Sequence, residues 1–202
     1  MLDLFCGAGG AGMGYHRAGF EVVGVDIKPQ KHYPFEFHCA DAFAFLEKHG
    51  LEFDVIHASP PCQSYSAAMR HLAKPQPKLI DGLRDALMQS GKTWVIENVP
   101  GAPMDNPTIL CGTMFGLRVH RHRLFESPNL FALIQPCSGA KDILNPHRAE
   151  SRERIYREFG RQDPEKLWRN EMGVEWMGRQ ETREAIPPAY TEWIGQRLLE
   201  SL

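Results

Sequence analysis

Short apolar runs alternate with amphipathic stretches through the first 117 residues. Residues 2–5 read as a short strand, and residues 21–27 (EVVGVDI) as a buried strand. Residues 53–57 and 93–99 (TWVIENV) give two more β-rich runs. Between them lie a glycine-rich turn at 7–14 running into a helix over 13–18, and a helical stretch at 42–49. Residues 78–89 carry Leu79, Leu83 and Leu87 at helical spacing. Strands separated by helices predict an α/β fold with a doubly wound, mostly parallel sheet. Residues 59–77 hold Pro60, Pro61, Pro75 and Pro77 among polar residues. They predict a long loop at the C-terminal end of a strand, where open α/β sheets place their ligands. Residues 119–125 read as a further strand, and the tail 188–202 as a helix with Trp193, Ile194, Arg197 and Leu198 in phase. The polar stretch 128–170, with a charged helix near 151–159, predicts a small subdomain or insertion.

Composition narrows the class. The 202 residues fit one domain with a small appendage, and 43% hydrophobic with 24% charged residues is ordinary for a globular chain. No apolar run approaches membrane-spanning length, so no membrane partner is expected. The opening MLDLFCGAGG enters a strand at once, so secretion by a standard leader is not expected. Five cysteines (Cys6, Cys39, Cys62, Cys111, Cys137) form no C-x-x-C pair, which predicts reduced thiols in a cytoplasmic protein, with neither a disulfide framework nor a zinc site. A monomer is expected. The formal net charge is -2, but its distribution is uneven. Residues 1–117 hold nine Lys/Arg against twelve Asp/Glu, and residues 118–183 hold thirteen against ten. The basic excess in the second half is compatible with phosphate binding and equally with a mixed solvated surface.

Two places concentrate candidate chemistry. In Asp3-Leu4-Phe5-Cys6-Gly7-Ala8-Gly9-Gly10, Gly7 and Gly9 permit backbone angles and close approach that a Cβ forbids. Asp26 ends the next strand, where an acid can bind two ribose hydroxyls. Asp41, after a presumed strand, is placed to accept from an adenine amino group. The turn and its acid fit NAD, a flavin, S-adenosylmethionine or plain tight packing. The spacing is not the G-x-G-x-x-G of a dinucleotide site.

The second place is Ser59-Pro60-Pro61-Cys62-Gln63-Ser64-Tyr65-Ser66, directly after a strand. Two prolines stiffen the turn, and a cysteine in a polar loop at a strand's end has the placement of a nucleophile, whose reactive form is the thiolate. The other reading is a small buried hydrophobe. Glu97, at the end of the following strand, either meets the same substrate or is a surface strand terminus. Arg121 and Arg123 share one face of their strand by its period of two, there to grip a phosphate or base carbonyl or to face solvent. His120 and His122 flank them and are expected to face solvent.

In order and spacing, these motifs resemble the DNA cytosine-5 methyltransferase family over residues 1–126 and 184–202. The resemblance implies a Rossmann-like catalytic domain from those two stretches, with 127–183 as a small target-recognition region. It implies S-adenosylmethionine as cofactor, held by Phe5, Cys6, Gly7, Gly9 and Gly10 of DLFCGAGG, Asp26 and Ile27 of VDIKP, Asp41 and Ala42 of CADAF, and Pro61. Cys62 in PPCQ-x-x-S matches the catalytic nucleophile, Glu97 in ENV the catalytic acid, and Arg121 with Arg123 the R-x-R pair. Gln63, Ser64, Ser66 and Asn98 fall at substrate-binding positions, the loop 64–77 is expected to close over a flipped cytosine, and EAIPPAY at 184–190 resembles the last motif. The implied substrate is double-stranded DNA, in a bacterial or phage setting such as restriction-modification. A tRNA cytosine-5 methyltransferase, a non-catalytic nucleic-acid-binding module and an NAD enzyme with a reactive cysteine are the alternatives. Only about sixty residues separate Arg123 from the last motif, which implies a short or permissive recognition sequence read by residues 135–180. Arg183-Glu184 stands where the family carries Gly-Asn, and Val119 where it carries Gln.

Overall fold

The computed structural model describes residues 1–62, 79–128, 137 and 163–201. The expected closing loop, Gln63, Ser64, Ser66 and the charged helix near 151–159 lie outside these residues.

A seven-stranded sheet runs in the order β3-β2-β1-β4-β5-β7-β6. Its strands are β1 (Leu2–Leu4), β2 (Val23–Asp26), β3 (Glu36–Cys39), β4 (Val55–Ala58), β5 (Thr93–Asn98), β6 (Thr108–Leu110) and β7 (Arg123–Glu126). The first five are parallel, and β7 runs antiparallel to both β5 and β6. The helices are α1 (Gly10–Ala18), α2 (Ala42–His49), α3 (Ile80–Ser90), α4 (Pro164–Met172), α5 (Arg179–Glu184) and α6 (Pro188–Ser201). The order reverses between β1 and β4, so the segments leaving these two strands border one crevice.

Strand alternation divides the core between the two faces. Leu2, Leu4, Ile56, Ala58, Trp94 and Ile96 pack with Leu46 of α2 and with Leu83 and Leu87 of α3. On the other face Val55, Val95 and Phe125 pack with Tyr15 of α1 and with Tyr190, Ile194 and Leu198 of α6. Residues of opposite parity in β1, β4 and β5 put Asp3, His57 and Glu97 on this second face, all buried. One sheet face thus carries both a hydrophobic core and a set of titratable groups leading to the crevice.

Several elements depart from the sequence expectation, each for a packing reason. The first helix begins at Gly10, inside the stretch read as a turn. Its glycines answer to a neighbour: a Cβ on Gly10 would strike the Ile186 carbonyl, and one on Gly14 the Pro188 carbonyl and Thr191 Oγ1, so α1 and α6 touch backbone to backbone. Strand β3 was only presumed, ahead of Asp41, and β6 was not read from the pattern at all, because both are short, lie at the sheet's two edges and bury little. No helix links β2 to β3. Tyr33 covers the sheet there instead, against Phe35 and Phe37, and takes the space above Gly9 and Gly24. The strand expected from residue 119 starts only at Arg123. Its partners β5 and β6 end opposite Leu124 and Arg123, and the Arg121 carbonyl accepts from the Tyr190 hydroxyl at 2.6 Å instead of from a ladder.

Residues 163–184 pack on the glycine turn that follows β1. Trp168, Met172, Val174 and Met177 form one apolar cluster with Ala8, Val119 and Ala185, and Trp176 Nε1 donates to the Ala8 carbonyl at 2.9 Å. The buried Val119 serves this cluster. No helix among the described residues is long and apolar enough to cross a membrane.

Candidate functional site

The chain leaves β1 under strain. Phe5 sits at φ 57, a left-handed conformation unusual for a side chain with a Cβ, and Gly7 follows at φ 49 with open space where a Cβ would lie. Asp26, at the end of β2, holds this turn: its Oδ2 accepts from the Gly7 N–H and its Oδ1 from the Lys28 N–H, both at 3.0 Å. A carboxylate offers about four lone-pair sites, so two remain for hydroxyl donors. Ile27 beside it is 68% exposed, an apolar side chain bare at the crevice rim. Asp41 caps α2, its Oδ1 accepting from Phe43 and Ala44 N–H, with Ala42 buried as the first helical residue. Pro61 is exposed at the rim, and Cys6 is buried, its thiol pushed well above the ordinary value by burial. Gly9 and Gly10 have packing reasons of their own, against Tyr33 and Ile186. The turn therefore fits a nucleoside cofactor: a strained backbone, an acid with free acceptor sites and an uncovered apolar side chain meet there.

Beneath the turn Asp3 is completely buried. Tyr33 Oη donates to its Oδ2 at 3.3 Å, the Gly12 N–H adds a second bond, and Oδ1 has no hydrogen-bond partner among the described residues. Burial raises its pKa from 3.8 to about 7, against the pull of those two donors.

The reactive end lies at the C-terminal edges of β4 and β5. Asn98, 1% exposed, donates from Nδ2 to the Pro60 carbonyl at 3.0 Å, while its Oδ1 accepts from the Val99 N–H at 2.9 Å. Both ends of its amide are engaged by backbone, so it ties the turn that carries Cys62 to β5. Cys62 at the turn's end is half-buried. Burial is the main influence on its thiol and raises it above 9.0. Arg123 and Arg121 draw it down and Glu97 raises it. Desolvation together with Glu97 outweighs the downward pull of the two guanidinium groups, so the net displacement of the thiol is upward.

Glu97 is 5% exposed. Arg123 Nε lies 2.9 Å from its Oε1, an ion-pair contact whose N–H direction misses, since Oε1 accepts no hydrogen bond. The sheet explains the approach: Phe125 stands opposite Glu97, and Arg123, two residues earlier, is its diagonal neighbour on the same face. Burial raises the Glu97 carboxyl, opposed first by Arg123, then by Arg121 and by a hydrogen bond from Ser59. Arg121 donates from Nη2 to the Arg183 carbonyl at 2.6 Å and lies 5.9 Å from the Trp168 ring, and its Nε is buried without a hydrogen-bond partner among the described residues. Burial, helped by Arg123, lowers its pKa to about 9. The Arg183 and Glu184 side chains are exposed, so the unusual pair meets the site through backbone only.

Sequence reasoning missed a buried polar chain behind Glu97. Tyr15 Oη lies 3.0 Å from His57 Nδ1, His57 Nε2 lies 2.8 Å from Ser59 Oγ, and Ser59 reaches Glu97. Burial lowers the His57 pKa to about 3, so the ring is neutral. One tautomer then satisfies every contact: Tyr15 donates to Nδ1, Nε2–H donates to Ser59, and Ser59 donates to Glu97. A histidine inside an apolar strand was the available signal.

His120 and His122 do more than face solvent. Their ring nitrogens lie with the Cys111 and Cys137 sulfurs in one group, all four atoms within 4.8 Å of one another. The absence of C-x-x-C pairs gave no hint of this, because the four residues come from three separated segments.

A sequence model of the C-5 cytosine-specific DNA methylase family matches residues 1–106. The type II methyltransferase M.AquIA of Picosynechococcus sp. is 28% identical over 120 residues, covering 50% of this chain and 48% of its own length. The type II methyltransferase M.FnuDI of Fusobacterium nucleatum is 32% identical over 111 residues, covering 50% of this chain and 32% of its own. The chain thus spans less than half the length of either relative. The crystal structure of S. pombe Dnmt2 methyltransferase shares the fold, with a TM-score of 0.62 at 12% identity over 99% of this chain and 98% of that one. With more than half of its residues matched by the family model, the chain belongs to the C-5 cytosine-specific DNA methylase family.

Proposed function

We propose that the chain transfers a methyl group from S-adenosylmethionine to C5 of a cytosine flipped out of double-stranded DNA, through a covalent bond between Cys62 and C6. The observation that carries this reading is a convergence. Cys62, Glu97, Arg121 and Arg123 influence one another electrostatically at one sheet edge. Two buried polar atoms there, Glu97 Oε1, which meets Arg123 only as an ion-pair contact, and Arg121 Nε, make no hydrogen bond among the described residues. Buried orphans of this kind are uncommon in a folded protein and suit a polar, planar ligand that supplies both a donor and an acceptor.

Asp26 would hold the ribose, Ile27 the adenine face and the 5–10 turn the amino-acid end of S-adenosylmethionine. When bound, this cofactor supplies an electrophilic sulfonium methyl group. Cys62 loses its proton as its sulfur adds to C6, which makes C5 electron-rich enough to accept the methyl group. Glu97, its carboxyl raised by burial, donates to N3 when protonated and stabilises the charge that builds there. Arg123 and Arg121 favour the sulfur anion and bind the O2 side of the ring. Loss of the C5 proton then expels Cys62 and restores the ring. Extruding the base costs about a few kcal/mol, which contacts to the flipped ring must offset.

The test uses DNA containing 5-fluorocytosine with S-adenosylmethionine, since fluorine at C5 blocks release of the enzyme. A denaturation-resistant adduct that disappears in Cys62→Ala supports the reading. Methyl transfer to tRNA but not to duplex DNA would overturn the substrate, and an adduct persisting in Cys62→Ala would overturn the nucleophile.

A further inference from the structure

Behind the arginine pair lies a group of side chains that the methyl-transfer reading does not use. Cys111 follows β6 and is buried; His120 and His122 precede β7; Cys137 lies beyond the strand. Cys137 Sγ is 3.3 Å from His120 Nε2, and the His120 and His122 rings meet edge to face at a centroid distance of 4.3 Å. The Thr113 hydroxyl reaches Cys111 Sγ at 3.5 Å and Cys137 Sγ at 3.3 Å. All four ligand atoms lie within 4.8 Å of one another.

We propose that Cys111, His120, His122 and Cys137 form a structural centre for a zinc-class divalent metal ion. Zinc–sulfur bonds of about 2.3 Å and zinc–nitrogen bonds of about 2.0 Å set tetrahedral edges of roughly 3.3–3.8 Å between ligand atoms. The four atoms already approach that size, so closing on an ion takes adjustments of about 1 Å or less. Two thiolates and two neutral imidazoles balance the charge of a divalent ion, and binding releases the two thiol protons to solvent. Sulfur and imidazole donors select zinc, or cobalt in its place, over magnesium or calcium, which prefer oxygen. Four protein ligands complete a tetrahedron and leave no open position, so the ion is structural. The Thr113 hydroxyl sits where it can donate to either sulfur once the thiols have ionised.

The placement carries a consequence for the neighbouring site. Histidines 120 and 122 alternate with arginines 121 and 123 along one short segment, so the two clusters share a stretch of backbone. The segment has few ladder bonds before Arg123. An ion gripping both histidines would hold the arginine backbone, and Cys137 would tie the chain beyond β7 to the sheet. The metal site itself does not depend on the proposed reaction.

The native chain, purified without chelator, is expected to carry one zinc per molecule by elemental mass spectrometry. Replacement by Co²⁺ should give the d–d bands of a tetrahedral site and a thiolate-to-cobalt charge-transfer band, with two protons released per ion bound. Cys137→Ser and His120→Ala should each lower the metal affinity by tenfold or more, with far-UV circular dichroism reporting whether they fold. Absence of both zinc and the cobalt spectrum in the reduced native chain would overturn the proposal. So would a Cys111–Cys137 disulfide in non-reducing peptide maps of freshly purified protein, or undiminished metal in both folded variants.

Discussion

Asp3 offers a stability test that reads directly on the buried site. Its carboxyl is wholly buried under the glycine turn, and its pKa rises from 3.8 to about 7. Between these values the folded chain keeps a proton that the unfolded chain gives up. Folding takes up that proton, so stability falls as pH rises through the window. Below pH 3.8 both states are protonated and above about pH 7 both are ionised, so this group adds no further slope. Each pH unit is worth about 1.4 kcal/mol, and the whole displacement comes to about 4 kcal/mol. In Asp3→Asn the titration is gone. Urea unfolding followed by tryptophan fluorescence at a series of pH values, for both proteins, gives a difference profile in which distant groups cancel. Relative to the wild type, the variant should gain about 4 kcal/mol between pH 4 and pH 8. A difference profile flat to within about 1 kcal/mol, or one sloping the other way, would refute the claim that desolvation governs this carboxyl.

The remaining predictions address packing and the reactive thiol. Arg84 meets the buried Glu126 through Nε at 2.6 Å and Nη2 at 3.0 Å; Arg84→Met should cost about 3–5 kcal/mol in urea unfolding by leaving that carboxylate unpaired, and adding Glu126→Leu should recover part of the loss. Gly14→Ala sets a Cβ against the Pro188 carbonyl and Thr191 Oγ1 and should destabilise by about 1–3 kcal/mol or more, seen as a lower Tm. Because Arg123 draws the Cys62 thiol down, Arg123→Met should slow its alkylation by iodoacetamide at pH 8, while wild-type alkylation should go on accelerating as pH rises past 9; an unchanged rate in the variant would show that the guanidinium does not influence the sulfur.

Much of the architecture was legible because the strands that matter most are buried. β4 and β5 read as β-rich runs since both faces are covered, and the same runs placed Cys62 and Glu97 at their ends. The edge strands β3 and β6 were faint for the opposite reason: a strand that buries little carries little pattern. The glycines of α1 looked like a turn, because a helix that must approach another backbone selects against the side chains by which helices are recognised.

By itself the amino-acid sequence determined the order of elements, the acid at the end of β2, and the cysteine, glutamate and arginine pair spaced along successive strands. These follow from period and from neighbours in the chain, and they are local. Tertiary structure alone decided the charge states and the meetings of distant residues. The upward displacement of the Cys62 thiol and of the Glu97 and Asp3 carboxyls, and the downward one of His57, depend on how far each lies from water, and no spacing encodes that. Cys111, His120, His122 and Cys137 became one cluster only because β6 and β7 pair antiparallel and bring their ends together, a contact made by folding and invisible to any short window of the chain.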